Sequence, residues 1–146
     1  ISFDIGDREE LIQYFGRFGV ESTTKQLRTG FTTGTCAAAA SKAALLSIIN
    51  QQKIENVSII LPKKTQIEIK INSCEFSQNN AVCSVIKDGG DDPDVTHGAE
   101  IFVKLLLTNS KNKIEINGGK GVGIVTKPCL GLEINKPAIN PVPKKM

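Results

Sequence analysis

The sequence has no tryptophan, one tyrosine and six phenylalanines, so it lacks the aromatic platforms on which single-stranded nucleic acids stack. It also lacks a basic patch. The net charge is only +3 and the lysines are spread along the chain apart from Lys144-Lys145, which excludes nucleic acid as a partner while leaving a small polyanion welcome. With a single histidine and four cysteines, Cys36, Cys74, Cys83 and Cys129, none of them in a C-x-x-C pair, the zinc-ligand spacings are missing and no protein-bound metal is expected. The cysteines read as reduced thiols of a cytoplasmic protein. No apolar run approaches the roughly 20 residues of a membrane span, and the charged first residues do not make the apolar segment of a signal peptide.

What is present is a 146-residue chain with 40% hydrophobic and 23% charged residues, enough for one domain with its own core. It begins on Ile1 and stops on Met146 and is read as a fragment. The most unusual stretch is Lys87-Asp88-Gly89-Gly90-Asp91-Asp92-Pro93-Asp94-Val95-Thr96-His97-Gly98. Four aspartates, three glycines, a proline and the only histidine fall within it. Carboxylates crowded in this way repel one another, so a fold that keeps them together must supply cations, backbone N–H donors or a ligand. Most acidic loops are simply solvated. The flanking segments decide between the two readings.

Residues 7–16 predict a short packing helix, with Asp7 and Glu10 at capping-box spacing and Gly16 as its stop. Arg28-Thr29-Gly30-Phe31-Thr32-Thr33-Gly34-Thr35 is a turn that leads into an alanine-rich helix from Thr35 to about Asn50. That helix is apolar nearly all round, which predicts burial on most sides. Its amino terminus offers unpaired N–H groups and a favourable dipole to an anion, although a threonine that only caps the helix is the simpler reading. Apolar residues then alternate with period two over Val57–Leu61, Ile67–Ile71, Ala81–Ile86, Ala99–Leu107 and Lys113–Asn117, as in antiparallel strands joined by short turns. The fold class is therefore α+β, a mostly antiparallel or mixed sheet with a buried helix on one face, and the acidic loop lies between two of its strands.

Gly118-Gly119-Lys120-Gly121-Val122-Gly123 matches neither the dinucleotide fingerprint nor a P-loop, but its backbone can cradle an anion or make a tight turn. In the last ten residues, Pro137, Pro141 and Pro143 predict an extended linker. An EF-hand calcium loop is not expected, because a count from Asp92 puts His97 at the glycine position and Val103 at the glutamate position. Cys36, among alanines, reads as a buried thiol in spite of its place near a helix start.

Four segments now stand together: Thr32-Thr33-Gly34-Thr35-Cys36-Ala37-Ala38-Ala39, residues 87–98, Gly118 through Pro128, and Pro137-Ala138-Ile139-Asn140-Pro141-Val142-Pro143. In this order and spacing they resemble the CbiD family over residues 27–146. Residues 1–26 stand apart as an amino-terminal extension. The resemblance implies an enzyme of anaerobic cobalamin biosynthesis that transfers a methyl group from S-adenosylmethionine to C1 of cobalt-precorrin-5B, an anionic corrin precursor whose cobalt belongs to the substrate. It is compatible with a ribosomal-S5-domain-2-like sheet. It also implies a longer protein with a Rossmann-like carboxy-terminal half, so that this chain is the amino-terminal domain and works with that half or with an oligomer partner. Gly89, Cys129 and Lys144 depart from the alanine, glycine and arginine usual in the family.

On this reading the catalytic candidates are Asp88, Asp91, Asp92, Asp94 and His97. The candidates for binding the anionic ring are Arg28, Thr32, Thr33, Gly34, Thr35, Lys87, Gly118, Gly119, Lys120, Gly121 and Lys127. The aspartates are open to three roles: stabilising the sulfonium or a cationic ring, acting as base with His97, or holding backbone donors in a rigid turn. Two other classes fit parts of the pattern, a non-catalytic corrinoid-binding domain and a fragment of a GHMP-type small-molecule kinase.

Overall fold

The computed structural model describes residues 27–109, 113–127 and 132–146; the helix expected at 7–16 and Cys129 lie outside them. Helix α1 (Thr33–Asn50) starts two residues earlier than expected. Thr32 is its N-cap, and its hydroxyl accepts the Thr35 N–H at 3.1 Å, satisfying one donor that the first turn leaves without a partner. The helix ends where Gln51 turns left-handed at φ 51°.

Among the described residues five strands follow: β1 (Asn56–Ile60), β2 (Gln66–Lys70), β3 (Ser73–Phe76), β4 (Asn80–Ile86) and β5 (Glu100–Leu106). They form two antiparallel sheets, a hairpin of β1 and β2 and a three-stranded sheet in the order β3-β4-β5. The expected α+β class holds. β3 is an addition, too short and polar to register as an alternating run, although Cys74 is buried and Phe76 half-buried while Ser73 and Glu75 are exposed.

The core lies between α1 and the sheets. Cys36, Ala39, Ala40, Ala43, Ala44, Ser47 and Ile48 are buried on the helix, a run of three- and four-residue steps that defines one face. They meet Ala81, Cys83 and Val85 of β4 and Val57, Ile59 and Ile69 of the hairpin. Four alanines let the sheet approach the helix axis closely, and the remaining volume is filled by branched side chains from the strands. The expectation of burial on most sides is corrected here. Leu45 and Ile49 stay exposed, because the helix presents a single face to strands that lie on one side of it. Lys42 ties the helix to β1 through Nζ, which donates to the Ser58 carbonyl at 2.6 Å.

Two further expectations fail. Residues 113–117 form no strand and are exposed throughout; their alternation has no buried face among the described residues to pair it. The proline-rich terminus is not wholly extended, since Pro141–Lys145 form a short helix, α2, with proline in the first turn. A missing N–H costs nothing there, because the first-turn donors have no intrahelical acceptor.

Ala43, fully buried against the sheet, sets the closeness of that approach. Ala43→Leu is expected to cost about 1–3 kcal/mol through overpacking, read as a lower midpoint in urea denaturation, with Ile49→Leu on the exposed side as the near-neutral control.

Candidate functional site: the acidic loop and the start of the helix

The loop of residues 87–98 joins β4 to β5, and the ladder between those strands runs on into it, with Lys87 N–H donating to the Ala99 carbonyl at 2.9 Å and Gly98 N–H to the Lys87 carbonyl at 2.8 Å. The strand therefore carries Lys87 inward. Its side chain is 1% exposed, the largest fully buried one in the described structure. An ammonium in that position must be paired. Nζ donates to Asp94 Oδ2 and to Thr96 Oγ1 at 2.7 Å. Asp94 in turn accepts the Thr96 N–H at 2.8 Å and the Thr96 hydroxyl at 2.6 Å through Oδ1, the local turn that an aspartate two residues ahead of a threonine favours. Lys87 first, then Thr96, hold the Asp94 carboxyl well below the ordinary carboxylate range.

A second cation fixes the other end. Residues 28–31 run beside the loop as a short antiparallel bridge, Thr29 to Gly90, with Asp91 N–H donating to the Arg28 carbonyl at 2.9 Å and Phe31 N–H to the Asp88 carbonyl at 2.7 Å. The Arg28 guanidinium forms a two-pronged pair with Asp88, Nη2 to Oδ1 at 2.9 Å and Nη1 to Oδ2. Gly90 N–H also reaches Asp88 Oδ1 at 2.9 Å. The arginine first, then this N–H, lower the Asp88 pKa to about 2. Arg28 N–H donates to Asp91 Oδ2 at 2.8 Å. The backbones cross so closely that a Cβ on Gly30 would lie 2.0 Å from the Gly89 carbonyl carbon, and one on Gly90, at φ +68°, 2.2 Å from the Arg28 oxygen. Only glycine fits at either place.

His97 resolves differently from an ion pair. Nδ1 accepts the Gly89 N–H at 3.0 Å, while Asp88 Oδ1 stands 3.9 Å from the same nitrogen. The shorter, directed bond requires a lone pair on Nδ1, so the imidazole in this geometry is neutral and carries its proton on Nε2. The 3.9 Å approach is a proximity, not a salt bridge.

Arg28, Lys87, Asp88, Asp91, Asp94 and His97 are thus brought together, and the helix start joins them through Phe31. At that start Thr32 and Thr35 are occupied with each other, hydroxyl to hydroxyl at 2.9 Å, and Thr33 and Gly34 occupy the first two helical positions. The Asp92 carboxylate is exposed and makes no hydrogen bond or ion pair with a described side chain. The glycine loop is linked at one remove: Gly118 lies against Pro137, Ala138 N–H donates to the Gly123 carbonyl at 2.8 Å, and Pro143 covers Gly34, where a Cβ would meet its ring at 2.4 Å. Gly119, Lys120, Gly121 and Lys127 are exposed on that side. Two participants escaped the sequence reading. Thr96 was recoverable from the Asp94-Val95-Thr96 turn spacing; Pro143 carried no local signal. Cys36 is buried and its thiol is pushed up, chiefly by burial, as expected for a packed side chain. Among the described residues no group of three His, Cys, Asp or Glu side chains is placed to hold a metal ion, and no helix is long and apolar enough to cross a membrane.

Asp88 and Asp94 have lower pKa values folded than the roughly 3.9 of an unfolded aspartate, so what they contribute is complete above about pH 4 and is lost as pH falls, through about 2 for Asp88 and lower for Asp94. Carboxylate NMR shifts of Asp88 followed from pH 6 to 2 are expected to show a titration still incomplete at the acid end, as a midpoint of about 2 requires. Asp94→Asn leaves the Lys87 charge buried beside a neutral partner, so it is expected to unfold at lower urea than both the parent and Lys87→Met, which removes the buried charge itself.

Comparison with known proteins gives one consistent answer. The CbiD family model matches residues 20–146. Proteins named cobalt-precorrin-5B C(1)-methyltransferase are similar to the chain: that of Leptospira borgpetersenii is 46% identical over 123 residues, covering 84% of this chain and 33% of that protein; that of Geobacter metallireducens is 47% identical, with 84% and 35% covered; that of Clostridium perfringens is 46% identical, with 87% and 34% covered. The chain spans about a third of the length of these curated relatives. No solved structure matches it significantly. The family-model match over residues 20–146 and the agreement with these relatives place the chain in the CbiD family.

Proposed function

We propose that this chain takes part in the C1 methylation of cobalt-precorrin-5B in anaerobic cobalamin biosynthesis, as the part of the enzyme that carries the acidic loop and the helix start. The observation that supports it is agreement with enzymes of that name over 84–87% of the chain. The phosphotransferase reading has no support in the family match, whereas the corrinoid-binding reading stays open as the second one, because the chain spans only about a third of its relatives. The rest of the enzyme, or an oligomer partner, completes the site, and the setting is the cytoplasm.

The charge pattern supports a division of roles. Arg28 and Lys87 spend their charges on Asp88 and Asp94, so the carboxylates around the corrin ring are met instead by the N–H groups of Thr33 and Gly34 and by the exposed Lys120 and Lys127 across the Gly118–Gly121 loop. The methyl donor is S-adenosylmethionine, which supplies an electrophilic methyl group on a cationic sulfur. Asp92, the loop carboxylate with neither a cation nor a backbone donor among the described residues, matches that cation in sign. His97, with Nδ1 taken by Gly89, presents Nε2–H as a hydrogen-bond donor, so it orients an acceptor on the ring rather than removing a proton. Asp88, Asp91 and Asp94 keep the loop in shape, and their part in catalysis is to position Asp92 and His97.

Incubation with S-adenosylmethionine and cobalt-precorrin-5B tests the reading. A mass gain of one methyl group on the ring supports the enzyme, binding without that gain supports the corrinoid-binding domain, and neither binding nor gain removes both. Asp92→Asn is expected to lower methyl transfer on the order of 10²-fold, the scale of removing one preorganised electrostatic contact, with the urea midpoint unchanged. Transfer at the parental rate would release Asp92 from its assignment.

A further inference from the structure

We propose that Cys74 and Cys83 form a redox-active dithiol, a site at which a small peroxide closes an intramolecular disulfide inside the folded chain. The two residues are register partners on β3 and β4. The hydrogen bond from Ser77 N–H to the Asn80 carbonyl fixes the parity of this hairpin: the 77/80, 75/82 and 73/84 positions are the hydrogen-bonded ones and 74/83 falls at a non-hydrogen-bonded one. Side chains are closest at such positions, with Cα atoms about 4.5 Å apart, inside the range that a disulfide spans. The sulfurs lie 3.0 Å apart, about 1 Å longer than the S–S bond, so closing it needs side-chain rotation and no change of register. Both thiols are free.

The pair is asymmetric in access. Cys83 is fully buried beneath α1 and Cys74 is 8% exposed, so a small oxidant reaches Cys74 first. In the first step the Cys74 sulfur attacks one peroxide oxygen, the O–O bond breaks, water leaves and Cys74 becomes a sulfenic acid. In the second the Cys83 sulfur attacks the Cys74 sulfur, the S–S bond forms, the S–O bond breaks, and the departing hydroxide takes the Cys83 proton to leave as a second water. Two thiols are oxidised and one peroxide is reduced. Burial first, and then Cys74, push the Cys83 thiol up to about 12, which slows the second step; fixed proximity works in the other direction. The pair is therefore a slow responder and not a catalytic thiol. It sits in the core, away from the acidic loop, and does not depend on the function proposed above.

The test exploits the sequence: the tryptic peptide from Ile71 to Lys87 contains Cys74 and Cys83 but neither Cys36 nor Cys129. The folded 146-residue chain is treated with hydrogen peroxide, denatured in an alkylating agent, digested and weighed. The expected product is that peptide lighter by two hydrogens and protected from alkylation, restored by dithiothreitol, with no covalent link between chains. Cys36→Ala should leave this product intact and Cys74→Ser should abolish it; should Cys74→Ser fail to fold, the peptide from the parent chain decides alone. Full alkylation of both cysteines after peroxide, a sulfinic acid in place of the disulfide, or a link to Cys36, Cys129 or a second chain would overturn the proposal.

Discussion

One buried charge organises the site. Lys87 continues the inward-facing side of β4 past the end of the strand, so its ammonium arrives in the interior at a place where an apolar residue would otherwise sit. An ammonium taken out of water is costly unless it is paired and hydrogen-bonded, and the chain answers within ten residues. Asp94 supplies the charge, Thr96 supplies an oxygen to the same nitrogen, and Thr96 also donates to Asp94, so the three groups fix one another. The turn at residues 94–97 follows from that closure, and with it the place of His97, whose backbone N–H donates to the Asp94 carbonyl at 2.9 Å.

The second constraint is steric. The strand-like piece at residues 28–31 and the loop at 88–91 cross at distances that no Cβ tolerates. Because Gly30 lies three residues before the helix, this crossing also sets where the helix starts, so α1 enters the core at a height tied to the acidic loop rather than to its own sequence. Alanines on its buried face make that possible, since a flat, small-residue face can seat wherever its amino terminus is pinned. The Arg28–Asp88 pair is half exposed and adds little to overall stability; its effect is to choose which way the Asp88 carboxylate points, and through the Gly90 N–H to hold the crossing in register.

The parts legible in the sequence were those whose signal is local. The alanine-rich helix, the hairpin of β1 and β2 and the strands β4 and β5 all announced themselves by period, and the loop between β4 and β5 by composition. β3 was missed because four residues with one small cysteine and one phenylalanine facing in do not make a pattern, and residues 113–117 were over-read because alternation states a preference that only a pairing partner can realise. In the site, the sequence located the loops but not the division of labour. Nothing local distinguishes Asp92 from Asp94. The difference is a lysine that reaches Asp94 from the strand side, and it depends on which face of β4 points inward. His97 was equally ambiguous until the Gly89 N–H claimed Nδ1.

Charge accounting then narrows what the site offers to a ligand. An acidic loop beside a helix start is contradictory on composition alone, since carboxylates repel the anions that the helix end attracts. The contradiction is reduced once Asp88 and Asp94 are matched by Arg28 and Lys87, because two of the four carboxylates are then neutralised; Asp91 keeps its charge but is held by a backbone donor. Half of the loop's negative charge is thereby removed next to the helix end. Under the function proposed above, negative charge would be received at Thr33, Gly34 and the glycine loop, and positive charge at Asp92. A reaction that brings together a polyanionic ring and a cationic methyl donor needs that separation, because a site uniformly of either sign would bind one reactant and repel the other.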